Sequence, residues 1–281
     1  MFAKLLKHEW RATVGGQGGL CGAILSLGAL SAGCVTILFT NSNKLNDLTV
    51  GSIGMSMMFL NMAIFLCAAA AAILLLVRFY RSRFTDQGYL TFTLPVTVHQ
   101  NFWSAFVNML IWQVLVFLAV IAALAMSAAA AYFTIGDLIS AEFAEYLQQM
   151  QYFYGEELEN IREILRDLVP VYLLQLVMGV VYNIVISLTC LTVGATLAKK
   201  HKILAAIGVY YLISAASGMI GNVLTMSVTL RLDEIIEGTN PQAVGKVMQQ
   251  LLTMTVPLQL VMIVGCYLLA TTFMKKKLNL N

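Results

Sequence analysis

The sequence predicts an all-α membrane protein of six transmembrane helices with both termini in the cytoplasm. Three observations carry this. First, 59% of the 281 residues are hydrophobic and only 11% are charged. The mean hydropathy is +0.81. Soluble domains carry about 25% charged residues, so a water-facing globule of this composition lacks a polar skin. Second, six runs reach the ~20 apolar residues that a helix needs to cross the hydrocarbon core. They are about 17–40, 55–77, 102–133, 168–198, 203–230 and 251–274, and none holds an Asp, Glu, Lys or Arg. Third, the charges sort by loop. The N-terminus (Lys4, Lys7, Arg11), the second loop (Arg78, Arg81, Arg83), the fourth (Lys199, Lys200, Lys202) and the tail (Lys275, Lys276, Lys277) hold 12 of the 17 Lys and Arg. Their only carboxylates are Glu9 and Asp86. The other side sets Lys44, Arg162, Arg166, Arg231 and Lys246 against the remaining twelve carboxylates. Loops rich in Lys and Arg stay in the cytoplasm, which orients the whole chain.

Along the chain, residues 1–16 read as an amphipathic interfacial segment, with Phe2, Leu5, Leu6 and Trp10 at helical spacing between Lys4, Lys7 and Arg11. The alternative is a basic flank that only sets topology. A signal peptide fits less well, because the apolar run exceeds a normal h-region and lacks an A-x-A site. The stretch Leu30–Cys34 resembles a lipoprotein box, but its leucine stands four residues before the cysteine instead of three. The first span carries Gly15-x3-Gly19, Gly18-x3-Gly22 and Ala29-x3-Gly33, spacing that lets helix backbones approach closely. The fifth span repeats it with Ser214-x3-Gly218 and Ser217-x3-Gly221. These positions serve contacts inside the chain or between subunits.

The third and fourth spans exceed the bilayer thickness, which implies tilt or projection beyond it. Between them, residues 135–167 form an external loop with eight carboxylates. Phe143, Leu147, Met150 and Tyr154 share one helical face, and Leu158, Ile161, Leu165 and Leu168 continue it after Gly155. This predicts a helical hairpin whose second arm enters the fourth span near Pro170. The fifth loop, Arg231–Gln250, is also external and turns at Gly238-Thr239-Asn240-Pro241.

Chemistry-bearing motifs are few. Cys21, Cys34, Cys67, Cys190 and Cys266 all lie in apolar runs without paired spacing, which reads as packing and not as a disulfide or zinc framework. His8, His99 and His201 are scattered over separate polar segments, and no metal site is expected. Neither GxxxxGK[ST], HExxH nor GxSxG occurs, so no catalytic residue is assigned. No ionisable side chain lies at membrane depth, which disfavours a proton relay. The amides Asn61, Asn108, Gln113, Gln175, Asn183 and Asn222 fall within spans. They line a pathway or hydrogen-bond helix to helix.

The second cytoplasmic loop is the most informative segment. Thr85-Asp86 offers an N-cap, Tyr89, Leu90, Phe92 and Leu94 form an apolar group unusual for a loop facing water, and Pro95 stops the helix. Such a group docks a partner or lies flat on the membrane. The run Asp86-x-Gly88-Tyr89-Leu90-Thr91-x-Thr93-Leu94-Pro95-Val96 resembles the loop between the second and third spans of ABC-2 type permeases. These are membrane subunits of ATP-driven exporters, particularly of Gram-positive bacteria. Gln87 stands where that family often carries Glu, and the external segment between spans three and four is longer than in its minimal members.

The resemblance implies a single permease domain over 1–281 in a bacterial cytoplasmic membrane, with Asp86, Gly88, Tyr89, Leu90, Phe92, Leu94 and Pro95 as the coupling helix seated on a separate ATPase subunit. Two ATPase copies and a second permease chain, the same or a similar one, are implied as partners besides lipid, and nucleic acid is not. ATP and Mg belong to the ATPase, so this chain itself is expected to bind no cofactor. A peptide, drug or lipid-like molecule is the implied cargo. The alternative is a stand-alone membrane scaffold or sensor whose external segment binds a ligand.

Overall fold

Uninterrupted apolar runs with few turn formers give long helices, and each helix here continues past the run that nucleates it. The computed structural model describes residues 2–41, 46–85, 97–198, 200–236 and 241–278. The side chains of 135–158, 160–161, 224, 227–236, 241–247 and 276–278 lie outside the described residues. The helices are α1 (Phe2–Thr40), α2 (Asp47–Phe84), α3 (Val98–Leu197), α4 (Lys202–Ile236) and α5 (Pro241–Leu278). Pro241 opens α5, where its missing N–H costs nothing. Six stretches are long and apolar enough to cross a membrane: Phe2–Thr40, Asp47–Phe84, Val98–Thr134, Arg162–Leu197, Lys202–Val223 and Met248–Lys275. Each overlaps one of the six runs read from the sequence, and α3 contains two of them.

Two expectations meet a different backbone. Residues 1–16 are not a separate interfacial helix: α1 runs without a break through all 39 of its residues, about 58 Å at about 1.5 Å per residue. Its buried positions there are the polar Glu9, Thr13 and Gln17, whereas Phe2, Leu5, Leu6 and Trp10 are only half-buried. Likewise α3 passes through Gly155 without the turn that a hairpin needs. A glycine inside a helix costs only about 1 kcal/mol relative to alanine, and the flanking Glu, Leu and Gln residues are strong helix formers.

The chain divides into two compact units, one comprising Met1–Arg78 with Val107–Gln149, the other Phe79–Phe106 with Met150–Asn281. In the first unit, Ile24, Ile64, Ala71, Val116, Ala119, Val120 and Ala123 form the core, with Leu20, Cys21, Leu27, Cys67, Ala68 and Met126 packed against it. The buried residues of α1 recur every three, four or seven positions from Glu9 to Val35 and so share one face. At Gly28 the helices all but touch: a Cβ there would sit 2.6 Å from Ala123 Cα. The glycines singled out by spacing behave otherwise. Gly15, Gly18, Gly19, Gly22 and Gly33, and Gly218 and Gly221 in α4, have nothing within 4 Å of an added Cβ. Among the described residues, their close-approach spacing brings no neighbour near.

In the second unit, Ile184, Val185, Leu188 and Cys190 of α3, Ala206 of α4, and Cys266, Ala270 and Met274 of α5 are buried. Gly194 lets α3 meet α4, since a Cβ there would collide with the backbone of Ala206. Thr189 ties α3 to α5: its hydroxyl lies 2.8 Å from the Val185 carbonyl and 3.0 Å from the Cys266 carbonyl. Tyr182 donates to Ser217 Oγ at 3.2 Å, a further link from α3 to α4.

Candidate functional site: the stem of the second loop

The segment resembling a coupling helix joins α2 to α3. Its residues Asp86, Gly88, Tyr89, Leu90, Phe92, Leu94 and Pro95 lie outside the described residues. Both shoulders are described, and both belong to the second unit.

The C-terminal shoulder begins at a helix start that the sequence specifies closely. Thr97 is the N-cap, with extended backbone (φ −73°, ψ 154°), and its hydroxyl accepts from Gln100 N. The Gln100 side chain accepts from Thr97 N at 3.3 Å, completing a capping box that satisfies two otherwise orphaned donors. The cap fixes where α3 starts, and thereby where Asn101 falls, one turn in.

The N-terminal shoulder is the last turn of α2. Arg83 is 1% exposed there, although an arginine is almost never buried without partners. Its Nε donates to Asn101 Oδ1 at 3.0 Å and its Nη2 to the Asn101 carbonyl at 3.2 Å. Nη1 donates to Ser82 Oγ at 2.9 Å, and the guanidinium carbon lies 4.6 Å from the centre of the Phe79 ring. Phe84 closes the site edge-on to Phe79, with ring centres 6.0 Å apart. The planar fork of arginine presents two fixed, coplanar N–H groups to two acceptors of one residue, a geometry that lysine's single, compact ammonium does not reproduce. Burying a guanidinium costs several kcal/mol in desolvation, and these hydrogen bonds and the ring face contribute to offsetting it.

Beyond Asn101, the start of α3 meets α5. His99 Nδ1 and Tyr267 Oη are 2.6 Å apart. Tyr267 packs edge-on against Phe102, at 5.2 Å between ring centres, and Trp103 packs edge-on against Phe106 at the same separation. Trp103 remains 45% exposed.

The six span amides do not converge. Asn61 spends its amide on Met57 O of its own helix, at 2.8 Å. Gln113 is half-buried, and Asn183 and Asn222 are exposed. Gln175 is half-buried, with Oε1 lacking a hydrogen-bond partner among the described residues. Among the described residues, Asn108 alone of the six enters a network between helices: Thr13 Oγ1 lies 3.4 Å from Asn108 Oδ1 and accepts from Trp112 Nε1 at 2.8 Å. Trp112 in turn stacks on Trp10 at 4.6 Å.

Four residues stand out that the sequence reading passed over. Gln17 is buried in the first unit and donates to Ala71 O at 2.8 Å, while its Oε1 has no hydrogen-bond partner among the described residues. Glu9 lies 4.0 Å from Arg78 Nε. Arg83 and Asn101 form the stem. A signal existed for two of them: Glu9 and Gln17 extend the four-residue stripe through Thr13 that continues into the apolar face of α1. Arg83 gave none, since in sequence it reads as one more basic residue of a cytoplasmic loop. No family model matches this chain, and no curated protein or solved structure does either.

Proposed function

We propose that this chain is the membrane-spanning permease subunit of an ATP-driven ABC exporter, coupled through Asp86–Pro95 to a separate ATPase. The observation that carries the reading is the Asp86–Val96 sequence itself, an apolar run that the charge sorting reads as part of a cytoplasmic loop. The stem supports it. A loop that must pass force to two helices needs rigid shoulders, and Arg83, Asn101 and the Thr97 cap supply them.

In this reading both termini are cytoplasmic and the acidic stretch 135–167 faces outside. Two permease chains enclose the pathway, and closure of two ATP-loaded subunits pushes on the loop and shifts α2 and α3 between inward-facing and outward-facing states. ATP and Mg reside on the ATPase. The cargo class that fits apolar spans without embedded charge is a peptide, drug or lipid-like molecule.

Affinity purification of the tagged chain from its native membrane tests this. The expected result is recovery of a protein with a P-loop and an LSGGQ-like signature, lost on Leu90→Asp or Leu94→Asp. Recovery of no such ATPase, with both variants behaving as the parent, would favour the stand-alone scaffold or sensor.

A further inference from the structure

We propose that Arg83 is the positioning residue of the second cytoplasmic loop: it locks the last turn of α2 to the first turn of α3, so that both helices answer together to a load applied between them. The source of that load rests on the permease reading; the lock does not.

The argument starts from cost. A cytoplasmic loop can carry its positive charge in water, where Arg81 indeed stands exposed. Arg83, two residues later, is withdrawn almost completely. Topology alone explains neither the withdrawal nor the geometry, because a positive-inside charge works equally well solvated. The geometry is that of a clasp. One guanidinium binds the side chain and the main-chain carbonyl of the same residue, Asn101. A contact to the side chain alone would leave Asn101 free to rotate away. Adding the carbonyl ties Arg83 to the backbone of α3, one turn past its N-cap.

The far side of the guanidinium is fixed to its own helix by Ser82 and by the face of Phe79. Asn101 is itself 2% exposed and sits in a well-defined turn: its amide donates to Thr97 O at 3.1 Å, and Ser104 Oγ donates back to its carbonyl at 2.9 Å. A displacement of either helix end therefore has to strain the clasp or move the other end. Charge alone does not do this, and lysine in place of arginine keeps the charge while giving up the rigid fork whose Nε and Nη2 hold the two acceptors.

Hydrogen exchange measured by mass spectrometry on the full chain in lipid nanodiscs tests the lock without any ATPase. The amides of 80–85 and 101–106 should exchange at least tenfold faster in Arg83→Lys and in Asn101→Leu. Asn101→Asp keeps the Oδ1 acceptor and should stay within twofold of the parent. Peptides from 203–223 serve as the fold control and should not change. Parent-like protection in Arg83→Lys would overturn the proposal, leaving Arg83 as a topogenic charge, and so would equal loosening in Asn101→Asp and Asn101→Leu. If the stem loosens as expected but no ATPase is recovered with the parent chain, the lock stands and the permease reading falls. If the ATPase is recovered but Arg83→Lys stays protected, the lock falls alone.

Discussion

Substituting alanine at Gly28 should destabilise the first unit, whereas the same change at Gly22, six residues earlier on the same helix, should not. In a helix interior, alanine is favoured over glycine by about 1 kcal/mol, so propensity pushes both variants toward higher stability. Space decides between them. At Gly22 an added Cβ meets nothing within 4 Å, while at Gly28 it lies 2.6 Å from both Cα and Cβ of Ala123 and 3.0 Å from its carbonyl oxygen. Carbon atoms rest at about 3.5–4.0 Å, so α1 and α3 must part by about 1 Å. They would do so beside Ile24, Val116, Ala119 and Val120, which share that core. Overpacking of this kind costs about 1–3 kcal/mol. The two variants should therefore differ by at least that amount, about 2–12 °C in melting temperature at about 2–4 °C per kcal/mol for a large chain. The assay is thermal unfolding in nanodiscs followed with a thiol-reactive fluorophore, because Cys21 and Cys67 pack against this core and become reactive as it opens. A Gly28→Ala protein melting at or above Gly22→Ala would refute the close approach of α1 and α3.

Three further outcomes follow from the same geometry. Thr13→Val leaves the Trp112 indole N–H without its acceptor and should cost about 1–3 kcal/mol; Thr13→Ser restores the acceptor, so melting should return close to the parent. Gln17→Met should stay within about 1 kcal/mol in the same assay, since hydrogen bonds within membranes average about 0.6 kcal/mol and the change also removes an unpartnered buried oxygen. Thr97→Ala breaks the capping box at a cost of about 1 kcal/mol, read as faster amide exchange over 98–104, and Thr97→Asp should retain the cap.

Spans and stem differ in how visible they are from sequence, and the reason is physical. Spans are set by the solvent: a run without charge over about 20 residues has no other place to be buried, so all six were legible. The contacts within the protein depend on which face of each helix meets a neighbour, and all-round apolar helices give periodicity little to detect. The small-residue motifs illustrate this. Several glycine pairs have the spacing for close packing, yet the structure uses the single Gly28 and the unpaired Gly194, because a glycine's effect depends on the residue opposite and not on its own neighbours. Phe2, Leu5, Leu6 and Trp10 look like a membrane-facing stripe, but the more deeply buried face carries Glu9, Thr13 and Gln17, whose polar groups find partners on α2 and α3. Arg83 could not be distinguished from Arg81 without Asn101 in view.

The central claim is that Asp86–Pro95 faces the cytoplasm and seats on an ATPase. A photoreactive amino acid at Leu90, activated in intact cells, tests both halves at once. The account predicts one crosslinked product containing this chain and a protein with a P-loop and an LSGGQ-like signature, identified by mass spectrometry and reduced by Leu94→Asp. Crosslinks to lipid alone, or to an extracellular quencher added to intact cells, would contradict it.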